Sequence, residues 1–200
     1  MQEFLASTNF TVVFISLIAV KFLLETYLKL RNLKSIELNK NAIPERFVGV
    51  VTEEEYKKSI VYNIDRIRFQ IFTALFGAVV LIIFTLGGLF NFLAEIVVST
   101  TSSDVLGAVL LGLLLLIVEQ VISIPISIYS TFVIEERHGF NKTTTKTFVT
   151  DMFKSLLISA TISSIIYATV IYIVVNLGDN WWIYAFGAVF ILQAIIFFLY

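Results

Sequence analysis

The sequence predicts an all-α polytopic membrane bundle of about five transmembrane helices, with amphipathic helices in its cytoplasmic loops. Three observations lead there. Of 200 residues, 58% are hydrophobic and only 14% charged, and the mean hydropathy is +0.92; soluble domains are nearer half apolar and a quarter charged. The charges are gathered into a few short stretches, separated by apolar runs near the ~20 residues that a helix needs to cross a bilayer. Lysine and arginine alternate from loop to loop, as they do in multi-pass proteins.

The runs fall at about 10–28, 69–94, 105–134, 155–178 and 180–200. The first contains Lys21 and Glu25, one turn apart and placed to neutralise each other. No basic segment precedes it, so it reads as an uncleaved helix rather than a signal peptide. The second, fourth and fifth carry no charge through 69–94, 155–178 and 180–200, and the third carries only Glu119. Nine of the 14 basic residues lie between Lys29 and Arg68 and four between Arg137 and Lys154, whereas 91–104 and 178–180 have none. The expectation is an external N-terminus, two basic cytoplasmic loops and a cytoplasmic C-terminal side. Trp181, Trp182 and Tyr184 open the fifth run as interfacial anchors. Short external loops and the lack of eukaryotic targeting signals favour a bacterial cytoplasmic membrane, with the endoplasmic reticulum the eukaryotic counterpart.

The first basic loop has its own signals. Pro44 breaks the chain, and Thr52 followed by Glu53, Glu54 and Glu55 forms a capping-box pattern. Glu53/Lys57 and Glu54/Lys58 are i,i+4 pairs, and Tyr56, Ile60, Ile64 and Ile67 line one face. This is an amphipathic helix running into the second span, packed on its own bundle or set against lipid or a partner.

Ionisable groups inside a span are costly, which makes Glu119 a functional candidate. Ser123, Ser127 and Ser130 follow it at helical spacing, and Ser155, Ser159, Ser163 and Tyr167 form a second polar stripe on the next helix. Two readings compete: the stripes line a water-filled cavity, or their small hydroxyl residues let helices approach closely. Pro125 interrupts the first stripe and removes a backbone donor. The only histidine, His138, stands in Glu135-Glu136-Arg137-His138-Gly139-Phe140-Asn141. These neighbours are too close in sequence to wrap a metal well, and Gly139 reads as the glycine ending the third helix. With no cysteine, disulfides and thiolate chemistry are excluded. His-Glu-x-x-His, Gly-x-Ser-x-Gly and phosphate-binding glycine loops are absent from the 200 residues. The expected cofactors of this chain are therefore none. Its basic loops follow from topology and imply no nucleic acid.

The stretch Pro125-x-x-x-Tyr129-x-x-Phe132-Val133-Ile134-Glu135-Glu136-Arg137-His138-Gly139-Phe140-Asn141-Lys142-x-Thr144 resembles the segment after the third helix in the CaaX prenyl protease 1 family, the Ste24-like membrane zinc metalloproteases. Upstream, Pro44, Gly49-Val50-Val51, Glu53-Glu54-Glu55-Tyr56, Lys58-Ser59, Tyr62 and Arg68-Phe69 resemble the family's first cytoplasmic loop. The resemblance implies seven helices around a water-filled chamber and a zinc held by His-Glu-x-x-His on a sixth helix. Its glutamate would be the general base for a zinc-bound water. Its substrates would be peptides or lipidated proteins. None of those catalytic positions exists here, so the chain is expected to be the N-terminal five-helix part, ending inside its last helix and incomplete as an enzyme. Zinc is implied only for the full-length protein, and the expected partners are the lipid bilayer and a catalytic domain. Two other readings remain open: a stand-alone five-helix protein that binds a catalytic partner, and a small transporter that uses Glu119.

Overall fold

The computed structural model describes residues 2–41 and 43–199, with side chains from Thr8 onward except those of Arg46 and Leu199. Tyr200, the last residue of the predicted fifth span, lies outside the described residues. Among the described residues six α-helices follow one another: α1 (Gln2–Asn39), α2 (Glu53–Thr85), α3 (Leu89–Thr100), α4 (Asp104–Tyr129), α5 (Thr145–Asn176) and α6 (Trp181–Leu199). There is no strand among the described residues. Among the described residues, five helical segments are long and apolar enough to cross a membrane: Thr8–Asn39, Glu53–Thr85, Asp104–Glu135, Thr145–Asn176 and Gly178–Phe198.

The surface shows which solvent suits them. Leu17, Leu23, Phe72, Leu157, Phe186 and Phe190 are all more than half exposed, whereas Ile67, Leu93, Val97, Ile134, Ile173 and Ala185 are buried. Apolar area on that scale is stable only in hydrocarbon, where helices also satisfy their own backbone groups.

The chain divides into two compact units, one running to Gly88 together with Ile126–Lys142, the other comprising Leu89–Pro125 and everything from Thr143. In the first unit α1 and α2 pair antiparallel: the Lys29 ammonium donates to the Gln70 carbonyl (3.1 Å) and the Tyr56 hydroxyl to that of Asn39 (3.3 Å). Between them the chain turns at Pro44 and through a short 3-10 turn, Glu45–Phe47. The capping box forms as predicted: Thr52 Oγ1 accepts from the Glu55 amide (3.2 Å) and Glu55 Oε2 from that of Thr52 (3.0 Å). The pairs Lys57–Glu53 (3.6 Å), Lys58–Glu54 (3.0 Å) and Lys21–Glu25 (3.5 Å) are also present. Thr52→Ala removes the cap at a cost of about 1 kcal/mol. The first turn of α2 then opens about fivefold more often, read as faster tryptic cleavage at Lys57 and Lys58.

The structure departs from the predicted second span. A 33-residue helix is about 50 Å long, and the part suited to a ~30 Å core is its charge-free stretch, 69–85, leaving 53–68 outside. The helix then stops. The amides of Leu86 and Gly87 both return to the Ile82 carbonyl, and Gly88 takes φ +79, a conformation that favours glycine. Residues 89–94 therefore belong to α3, and most of the predicted 91–104 loop is helical. At 12 residues, α3 rises only about 18 Å, too short to cross. Hydropathy carries the predicted span through Gly87-Gly88 because apolarity continues where the helix stops.

In the second unit α3 buries Leu93 and Val97, and a Cβ added at Gly107 of α4 would lie 3.7 Å from Val97 Cγ1 and 3.8 Å from Thr101 Cγ2. Thr144 caps α5, accepting from the Thr147 amide (3.1 Å). A turn over Gly178–Asn180, with Gly178 at φ +61, leads into α6, whose first residues Trp181 and Trp182 are exposed as interfacial anchors require.

Candidate functional site

The family-motif segment is where polar chemistry and burial meet. Pro125 lies inside α4, which continues past it to Tyr129 and then widens into a π-helix, Ser130–Glu135. The helix ends on a paired backbone cap: Gly139, at φ +75, donates to the Glu136 carbonyl (3.0 Å), and Phe140 donates to that of Glu135 (2.8 Å). Gly139 thus has the terminating role predicted for it.

That ending sets the motif side chains against one face of α2, carrying Tyr62, Asp65 and Phe69 at i, i+3 and i+7. His138 Nε2 lies 3.0 Å from Asp65 Oδ2, and Arg137 donates to the same oxygen at 3.3 Å. A carboxylate only accepts, so Nε2 carries the proton. The Tyr62 ring meets His138 edge-on (centroids 5.5 Å) and Phe140 at 4.7 Å, while Phe69 packs on Tyr129 at 5.0 Å. Asn141 Nδ2 donates to Glu136 Oε2 (2.8 Å). The His138 side chain is 8% exposed, that of Asp65 22% and that of Arg137 58%. Asp65 lies in the 53–68 part of α2, outside the apolar stretch. The hydrogen bond from His138 holds its carboxyl below the usual range; burial opposes this and the Arg137 guanidinium adds to it.

The sequence pattern points to Arg137, His138, Phe140, Tyr129 and Tyr62 but not to Asp65. The available signal was its spacing from Tyr62 and Phe69 on one helical face, and nothing local links that face to a loop more than 70 residues on.

The polar stripes are divided by the two units. Ser127 and Ser130 are half-buried in the first. In the second, Glu119 is exposed and Ser123 half-buried, its hydroxyl donating to the Gln120 carbonyl (2.9 Å). Ser155 and Ser159 are exposed, Ser163 is half-buried, and the Tyr167 ring lies directly over Gly112. A zinc ion does not fit the donors present: among the described residues no three of His, Cys, Asp or Glu come together, and His138 is already committed to Asp65.

Five long apolar helices with a lipid-suited exterior and charged, capped loops define a polytopic α-helical membrane protein. Residues 32–200 match the family described as CAAX prenyl protease N-terminal, five membrane helices. The chain belongs to that family. It is 31% identical over 186 residues to the CAAX prenyl protease 1 homolog of Oryza sativa subsp. japonica, covering 90% of this chain and 43% of the relative. It is 32% identical over 188 residues to the Arabidopsis thaliana homolog, covering 90% and 44%. The crystal structure of S. mikatae Ste24p superposes with a TM-score of 0.83 at 25% identity, over 92% of this chain and 44% of that one. The chain thus spans less than half the length of these curated relatives.

Proposed function

We propose that this chain forms the N-terminal membrane part of the chamber of a Ste24-like zinc metalloendopeptidase that acts on membrane-associated or CaaX-type proteins. The observation that carries this reading is the agreement in fold with S. mikatae Ste24p over nearly the whole chain. These 200 residues hold one histidine and no His-Glu-x-x-His, so hydrolysis needs zinc ligands from outside them, and a catalytic half is the partner the reading requires. Glu119, Ser123, Ser155, Ser159 and Ser163 are the chamber-facing groups in this proposal. The test is a chimera in which this chain replaces the matching part of S. mikatae Ste24p. Chelator-sensitive cleavage of a CaaX-type peptide is expected. A chimera that folds and retains zinc but does not cleave would overturn the proposal.

The same reading puts the N-terminus outside and both basic loops in the cytoplasm of a bacterial membrane. The cysteine-free sequence makes orientation simple to test. In intact cells, Ser102→Cys should react with an impermeant maleimide and Lys142→Cys only after lysis; the reverse pattern inverts the topology. In the chimera, Glu119→Cys should react with a water-soluble maleimide at a rate within about tenfold of Ser102→Cys, since a chamber admits water and lipid does not. An inert Glu119→Cys would place that face in lipid.

A further inference from the structure

The π-helix Ser130–Glu135 is held at both ends by α2, all within the first unit. At one end Tyr129 packs on Phe69; at the other Arg137 and His138 close on Asp65, with Tyr62 under His138 and Phe140. The anchors on the two helices do not match in length. About 10.5 Å of α-helical rise separates Tyr62 from Phe69, whereas Tyr129 to His138 would span about 13.5 Å if wholly α-helical. A π-helix bonds i to i+5 and so takes more residues into each turn. The segment absorbs the excess where both contacts require it. The wide form is inherently less favoured than α-helix, and long π runs are rare.

We propose that Ser130–Glu135 is a register switch latched by Asp65. While Asp65 holds Arg137 and His138, the segment stays π-helical. Release lets it wind to α-helix with a one-residue shift, turning His138 about 100° away from α2 and freeing the Glu136–Asn141 loop. Asp65 is then a positioning residue for that loop. The latch joins one carboxylate oxygen to two donors, so a single change in that carboxylate undoes both contacts, whereas the aromatic pair at Tyr129 survives as the pivot.

The sole histidine is a built-in reporter. In the full chain in lipid nanodiscs, His138 should react slowly with diethyl pyrocarbonate, because its side chain is 8% exposed. Asp65→Ala should raise that rate at least tenfold and move the backbone carbon shifts of Thr131–Glu135 to α-helical values, with Tyr129 and everything before it unchanged. Deleting Thr131 should expose His138 to the same degree, and the combined variant should react no faster than either alone. If Asp65→Ala exposes His138 while the Thr131–Glu135 shifts stay as in the parent chain, Asp65 is an anchor only and the switch is wrong. Protection of His138 in the deletion would overturn it equally. Asp65→Asn retains one acceptor for His138 and should give an intermediate rate. It carries the same two readouts if the alanine variant does not fold.

Discussion

Gly112→Val is expected to lower the stability of the second unit by roughly 1–3 kcal/mol, the range of overpacking in a close-packed interior. Gly112 is buried on α4, and a Cβ there would collide with the Cδ2–Cε2 edge of the Tyr167 ring of α5. Two outcomes are open to the ring: it stays and the helices part, or it changes rotamer and leaves the seam. Both lose contact area, and in a bilayer the close approach of helices at a small residue is itself the attraction. Thermal unfolding of the purified chain in detergent should show the loss. The double variant with Tyr167→Ala should be less damaged than the two single effects added together, because the collision needs both groups. Additive effects would show that Tyr167 does not press on Gly112. The contact bears on the polar stripes too, since Tyr167 was a chamber-lining candidate and its ring is engaged in packing.

Asp65→Leu should be comparably damaging, at about 2 kcal/mol. Most of that comes from losing the His138 contact, since a hydrogen bond to a charged group is worth roughly 1.5–3 kcal/mol. Arg137 is more than half exposed, and its share is discounted to about 0–1 kcal/mol by solvent screening. The pH dependence has a definite sign. Asp65 is held below its ordinary value in the folded chain, so its contribution is complete above its unfolded value near ~3.9 and is lost as pH falls through the lower folded value. The parent chain and Asp65→Leu should therefore differ in midpoint by a constant amount from pH 6 to 8 and converge in acid. A gap that persists unchanged to pH 2 would contradict the ionised clamp.

The features legible from residues alone were those set by neighbours along the chain. The Thr52–Glu55 box, the Lys57–Glu53 and Lys58–Glu54 pairs, the helix end at Gly139 and the tryptophans opening α6 all formed where their spacing placed them. The third apolar run, 105–134, corresponds closely to the helical segment Asp104–Glu135, because Asp104 and the Glu135-Glu136 pair bound it chemically. The second run was misjudged at its far end. Gly87-Gly88 is a small energetic signal inside a strongly apolar stretch, and hydropathy averages over it.

The candidate site was half legible. The motif loop could be named, but not what it grips. Asp65 is an ordinary acid on an amphipathic helix until α2 and the end of α4 are brought side by side, and the π turn exists because two sets of contacts must be met at once. Likewise Gly112 is one glycine among nine until Tyr167 lies over it. By itself the sequence determined that this chain lives in a membrane and where most of its long apolar helices start, since transfer of apolar side chains and capping of backbone ends are local and additive. Only the tertiary structure decided that α4 widens before its end and that Asp65 holds the loop, because these follow from distances between segments remote in sequence.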